Sequence, residues 1–196
     1  MTDPKNDPRF KEYHVTEQQT VKVKDFEADG LILDICGGGE GVIGILKGDQ
    51  VISTDLRKGE LLEAKNTNLK IIMDATDLKF LDESFNVSTN FFGFMYLPSE
   101  ILDKVFQEIH RVLKPKGRFL VWDVIIPPKT AEDQKEKVLV FLELHLPNRE
   151  PWGTGYGTKR RPQDQQFFIE IAEKNGFKLL SQEKQGLTFF LEFKKK

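Results

Sequence analysis

From residue 31 onward, short apolar and β-branched runs alternate with amphipathic stretches. The runs cover 31–35, 50–54, 69–73, 87–92 and 118–124, each too short for a helix and rich in residues that suit a pleated surface. Runs of this kind alternating with helical patterns predict βαβ units around a parallel sheet. Acidic residues mark the first three, with Asp34 inside the first and Asp55 and Asp74 immediately after the next two. Ligands of such sheets bind outside the carboxyl ends of the strands, which is where Asp55 and Asp74 fall.

Between the runs, 99–113 has the helical spacing most clearly. Ile101, Leu102, Val105, Phe106, Ile109, Val112 and Leu113 fall on one face, Ser99 is placed to cap the start, and Pro115 and Gly117 lie past the end. The stretch 131–146, bounded by Pro127-Pro128 and Pro147, reads as a second helix. EPWGTGYGTKRRPQD, residues 150–164, reads as a loop, either an ordinary surface connection or a lid whose glycines serve as hinges. A helix over 165–174, stopped at Asn175-Gly176, and two closing strands over 177–181 and 187–193 complete a seven-stranded sheet.

Composition narrows the classes. A chain of 196 residues with 39% apolar content supports one buried domain. With 29 basic against 31 acidic residues no broad basic face is expected, so no nucleic-acid partner is expected either. No apolar run approaches the roughly 20 residues of a membrane span, and the start MTDPKNDPRFKEYH lacks the apolar core of a signal peptide. The expectation is a cytoplasmic protein, monomer or homodimer. The single cysteine, Cys36, excludes an internal disulfide and a cysteine-based zinc cluster, and His14, His110 and His145 have no metal-ligand spacing.

The chemistry centres on ILDICGGGEGVIG, residues 32–44. Glycines at a strand-to-helix turn supply positive φ angles and let backbone approach a ligand. Gly39-x-Gly41-x-x-Gly44 fits a dinucleotide fingerprint, and Gly37-x-Gly39-x-Gly41 fits the loop of S-adenosylmethionine (SAM) enzymes. Asp55, about 16 residues past Gly39, suits the ribose diol that both cofactors carry. Glu40 separates them, because a carboxylate in the turn repels a pyrophosphate, whereas SAM has no phosphate and a cationic sulfonium. The tyrosine–lysine pair of short-chain dehydrogenases is absent, since Glu17, Glu100 and Arg160 stand four residues after Tyr13, Tyr96 and Tyr156. No Walker A sequence occurs.

In LILDICGGGEG, VISTD, DATDLKFLDESFNV and EIHRVLKPKGRFLVWD, spread over 31–123, the chain resembles the class I SAM-dependent methyltransferases, in the small-molecule branch similar to the quinone-biosynthesis enzymes. The resemblance implies an α/β, Rossmann-like seven-stranded sheet, mostly parallel with an antiparallel C-terminal strand and helices on both faces. It implies that Asp34 and the backbone of Gly37, Gly39 and Gly41 hold the methionine moiety, and that Asp55 takes the ribose hydroxyls. Asp74 would accept from the adenine amino group and the Ala75 N–H would reach a ring nitrogen, with Asn90 and Phe91 beside the methionine and the methyl group. Cys36 departs from the family's glycine at its position, one residue is extra between Asp34 and the glycine run, and Met95-Tyr96-Leu97 lacks the frequent histidine.

These readings divide one methyltransferase domain, 1–196, into an N-terminal cap segment (1–30), a SAM-binding core (31–123), an acceptor-side insertion (127–164) and a closing helix and hairpin (165–196). The expected reaction is methyl transfer to a small molecule by in-line displacement. Tyr13, His14, Tyr156 and Arg160 are the catalytic candidates, and with Trp152 and Arg161 they suit an aromatic or anionic acceptor. The cofactor is expected to be held by residues before about position 95, and Phe91, Phe92, Phe94 and Met95 to wall a pocket or pack the core. A non-catalytic SAM-binding module is the alternative. An adenine N6-methyltransferase is disfavoured because Asn90-Phe91-Phe92-Gly93 lacks the proline turn.

Overall fold

In the computed structural model, which describes residues 7–196, five strands pair in parallel: β3 (Ile32–Ile35), β4 (Val51–Asp55), β5 (Leu69–Ile72), β6 (Phe85–Phe91) and β7 (Leu113–Val124). β11 (Thr188–Lys195) adds antiparallel to β7, and β10 (Phe177–Gln185) adds antiparallel to β11. The order β10-β11-β7-β6-β3-β4-β5 turns at β3, which has β4 on one side and β6 on the other. A crevice at the carboxyl ends of β3 and β6 follows from that reversal.

One face of the sheet is covered by α3 (Ser99–Val112) and α4 (Gln165–Lys174). Leu102, Val105, Phe106, Ile109 and Val112 of α3 are wholly buried, at about 1.5–3 kcal/mol for each large apolar side chain. They meet an aromatic layer of Phe94, Phe119, Phe168, Phe177 and Phe193. α4 begins and ends where its residues predict, with Asp164 accepting from the Phe167 N–H and Gly176 at φ +83° beyond Asn175. Ser99 is the first residue of α3, and Pro98 holds the cap position.

The other face carries a second sheet. Among the described helices only α1 (Val42–Lys47) packs into this side's core, and α1 and α2 (Lys58–Glu63) are six residues each. The remaining cover comes from β1 (Tyr13–Val15), β2 (Gln19–Lys22), β8 (Lys137–His145) and β9 (Trp152–Lys159). β1 and β2 pair in parallel with successive halves of β8, and β9 runs antiparallel along its other edge. Residues 1–6 of the expected cap segment lie outside the described residues.

Two expectations are corrected here. The stretch 131–146 is not a helix, because KVLVFLELH forms β8 and buries Val138, Val140, Leu142 and Leu144 at a spacing of two against Val87, Leu120 and Trp122. Only Glu143 and His145 break this apolar run, too short a signal to fix a period, and partners on both edges impose one. Nor is 150–164 a hinged loop. WGTGYGT forms most of β9, with Gly153, Gly155 and Gly157 alternating with Trp152, Thr154, Tyr156 and Thr158. A methyl at Gly155 would come within 3.2 Å of the Phe141 ring, and one at Gly157 within 3.0 Å of Tyr13. Those glycines allow close packing rather than hinge motion.

Candidate functional site

β3 runs directly into the glycine turn, where Cys36, Gly39 and Gly41 adopt φ values of 55°, 60° and 59°. Left-handed backbone is natural for the glycines and unusual for Cys36. The Gly37 N–H donates to Thr54 O (2.9 Å) and the Gly39 N–H to Glu60 O (2.9 Å), so the turn is tied to β4 and to α2. At Gly38 a side chain has no space, since a Cβ would lie 2.4 Å from that of Glu60.

Beneath the turn lies Asp34, 1% exposed, its Oδ1 accepting from Thr89 Oγ1 (2.8 Å) and its Oδ2 from Ser53 Oγ (3.4 Å). Burial pushes its carboxyl up to about 7 against the opposing effect of those two hydroxyls. Asn90, also fully buried, donates to Ile35 O (2.8 Å) and accepts from the Gly93 and Phe94 N–H groups (3.2 Å each). It thereby fastens the end of β6 to the end of β3.

A cavity of about 650 Å³ opens against this turn. Gly38, Gly39 and Glu40 border it from the turn, Asp55, Arg57 and Glu60 from the end of β4 and α2, and Met73, Asp74, Ala75 and Thr76 from beyond β5. Phe91, Phe92, Gly93, Tyr96, Leu97 and Ile101 border it after β6, and Tyr156 reaches it from β9. Asp55 Oδ1 accepts from the Arg57 N–H (2.9 Å), and Asp74 Oδ1 from the N–H and hydroxyl of Thr76 (2.8 Å each). The second oxygen of each carboxylate carries no hydrogen bond among the described residues. Arg57, the one cation in the lining among the described residues, pairs with Glu60 (3.1 Å) and lies 5.9 Å from the centre of the Tyr96 ring. Burial, foremost, and nearby carboxylates raise the phenols of Tyr96 and Tyr156. The Cys36 thiol is raised in the same way.

Of the residues singled out in the sequence, Gly39, Asp55, Asp74, Ala75, Phe91 and Tyr156 come together in the lining. Asp34, Gly37, Gly41 and Asn90 support the turn from outside it: a methyl on Gly37 would strike Asp34 at 2.3 Å, and Gly41 starts α1 against Asn66. Tyr13, His14 and Arg160 lie elsewhere. Tyr13 packs on Phe10 and Gly157 under Lys137, and His14 pairs with Asp133. Arg160, its side chain 3% exposed, donates to Asp133 Oδ2 at 2.8 Å and holds that carboxyl down to about 2. Arg161 donates to Ser99 Oγ (2.7 Å), Phe94 O (2.7 Å) and Gln163 Oε1 (2.9 Å). The arginines expected to meet an anionic acceptor therefore bind the protein's own oxygens.

The cavity also continues past position 95, through Tyr96, Leu97, Ile101 and Tyr156. Tyr96 had a signal, because it falls in the segment where the family's histidine is missing. Glu60 had none, since only the docking of α2 on the glycine turn brings it there.

The methyltransferase domain family matches residues 33–121. A sterol 4-C-methyltransferase from Caenorhabditis elegans is 32% identical over 116 residues, 58% of this chain and 34% of that protein. A mitochondrial 2-methoxy-6-polyprenyl-1,4-benzoquinol methylase from Pongo abelii is 36% identical over 84 residues, 38% of this chain and 25% of that protein. The chain thus spans only about a third or a quarter of the length of these two relatives. A solved SAM-dependent methyltransferase from Methanosarcina mazei superposes with a TM-score of 0.64 at 14% identity, covering 87% of this chain and 94% of that one. The sheet order and the superposition give the chain the fold of class I SAM-dependent methyltransferases, and its residues 33–121 match the methyltransferase domain family. Within that class the chain is similar to small-molecule methyltransferases. Among the described residues, no helix is long and apolar enough to cross a membrane.

Proposed function

We propose that this chain transfers the methyl group of SAM to a small, largely apolar acceptor without net negative charge. The observation that carries the reading is one cavity bordered by Asp55 and Asp74, each with a free oxygen, and by Phe91, Phe92, Leu97, Ile101 and Tyr156. Those residues fit SAM: Asp55 is suited to the ribose diol, Asp74 and the Ala75 N–H to the adenine edge, and the glycine turn to the methionine end. When bound, SAM supplies an electrophilic methyl group on a sulfonium, so the protein has little covalent chemistry of its own to do. Its share is to exclude water and to hold the acceptor in line with that methyl, where alignment can supply effective molarities of about 10⁵ M or more.

Charge argues against the anionic acceptor expected from Arg160 and Arg161. Among the described residues, Glu40, Asp55, Glu60 and Asp74 border the cavity, against Arg57 alone. No histidine lines it, and burial holds the two phenols protonated, so an acceptor either attacks as a neutral group or gives its proton to a bordering carboxylate or to solvent. The sterol and benzoquinol named for the relatives are apolar acceptors of the kind this wall suits. In this reading 31–123 is the SAM-binding core and 127–164 the acceptor side, and the protein works in the cytoplasm, which cell fractionation tests.

The test is methyl transfer from labelled SAM to a panel of neutral and anionic acceptors of equal size. Transfer to neutral members supports the reading, and transfer confined to anionic members overturns its acceptor half. Binding of S-adenosylhomocysteine without transfer to any acceptor would favour the non-catalytic module.

A further inference from the structure

We propose that Glu40, fixed in place by Trp152 and Thr154 of β9, makes the cavity prefer the sulfonium-bearing cofactor over its neutral thioether product. The inference rests on the methyltransferase reading and adds a specificity-determining residue to it. Glu40 stands between Gly39 and Gly41, both left-handed, and borders the cavity. Its Oε2 accepts from Trp152 Nε1 (3.1 Å) and its Oε1 from Thr154 Oγ1 (2.7 Å). Both donors are neutral, so they orient the carboxylate without cancelling its charge. No lysine, arginine or histidine pairs with Glu40 among the described residues. Glu60, by contrast, is matched by Arg57 at 3.1 Å.

The charge of Glu40 also acts on a second residue of the lining. It is among the groups that act on the Tyr156 phenol, whose strand places Trp152, Thr154 and Tyr156 on one face at a spacing of two. The accessory sheet therefore borders the cavity with Tyr156 and fixes the carboxylate of Glu40, another residue of its lining.

SAM carries a carboxylate, an ammonium and a sulfonium, for a net charge of +1. On transfer the acceptor's electron pair forms the new bond to the methyl carbon and the S–CH₃ pair returns to sulfur. The product, S-adenosylhomocysteine, has no net charge. A fixed, uncompensated carboxylate beside the ligand attracts the first and not the second. Such a site binds substrate cofactor preferentially and lets product go, which limits product inhibition.

Calorimetry tests this with three ligands: SAM, S-adenosylhomocysteine, and a SAM analogue bearing an amine-substituted carbon in place of the sulfonium. Wild type is expected to bind both cationic ligands about five- to tenfold more tightly than S-adenosylhomocysteine at low salt, with the gap narrowing as salt rises. Glu40→Gln should lower that ratio at least twofold while changing S-adenosylhomocysteine affinity less than about twofold. Thr154→Val, which does not remove the charge but frees it, should lower the ratio part of the way, and Thr154→Ser should restore it. Equal loss of all three ligands in Glu40→Gln, or a wild type that holds S-adenosylhomocysteine as tightly as SAM, overturns the proposal. A wild type that binds none of the three overturns instead the methyltransferase reading beneath it.

Discussion

The Tyr156 ring lies 5.6 Å from the ring of Phe92, across the seam between the two sheets. Tyr156 belongs to β9 and Phe92 follows β6, yet both border the same cavity. Tyr156→Phe keeps this contact and should leave S-adenosylhomocysteine affinity within about 0.5 kcal/mol. Tyr156→Ala removes a largely buried ring and should lower stability by about 2–4 kcal/mol and turnover by more. Denaturant unfolding and a transfer assay check the pair. Full turnover in the alanine variant would remove Tyr156 from the acceptor wall.

Asp55 is expected to receive two ribose hydroxyls. Asp55→Ala should weaken S-adenosylhomocysteine binding by about 1.5–3 kcal/mol, the range for hydrogen bonds to a charged group, and Asp55→Asn should lose less. Calorimetry with both variants decides it. Unchanged affinity in the alanine variant would leave Asp55 as a mere cap on the Arg57 N–H.

Arg160 holds Asp133 from a nearly inaccessible position and joins the 130–135 turn to the end of β9. Arg160→Ala should cost about 1–3 kcal/mol of stability, since a buried partner is removed from an ion pair. It should not change the affinity for S-adenosylhomocysteine. Urea unfolding and calorimetry on the same preparation separate the two effects, and a stable variant with weakened ligand binding would contradict the placement outside the cavity.

Stability should depend on pH through two buried carboxyls. Asp123, fully buried at the end of β7, accepts from the Val124 N–H and Gln163 Nε2 at 2.8 Å each, and burial lifts it to about 7, as it does Asp34. In the unfolded chain both ionise near about 3.9. The folded protein therefore binds more protons between these values, so stability is greatest below about pH 4 for these groups and falls as pH rises through 7. The slope is at most about 1.4 kcal/mol per pH unit for each group. Asp123→Asn keeps the acceptor oxygen and should flatten the profile between pH 5 and 7 in urea unfolding. Parallel profiles for wild type and variant would show that Asp123 is ionised in the fold.

Much of the main sheet and half of the cavity could be read along the chain, because the signals there are local. A run of four or five β-branched and apolar residues, a glycine turn, and Asn175-Gly176 after a helix act on their neighbours within a few bonds. Asp55 and Asp74 followed for the same reason, since the carboxyl end of a strand fixes where the next residues emerge.

The accessory sheet was decided by tertiary pairing. VLVFLELHL is apolar at nearly every position, and it became a strand because β1 and β2 occupy one of its edges and β9 the other, while the main sheet buries every second residue. In WGTGYGT the spacing of two was present, but glycines concealed it until Phe141 and Tyr13 were seen packed against them. Long charged side chains behave likewise: nothing near Arg160 or Arg161 in sequence shows that the first meets Asp133 and the second Ser99 and Phe94 O. Glu60 enters the cavity only because α2 docks on the turn, and Glu40 is held only because β9 lies over it. Backbone preference travels a few residues along the chain, whereas the partner of a side chain is set by whichever distant segment the fold brings beside it.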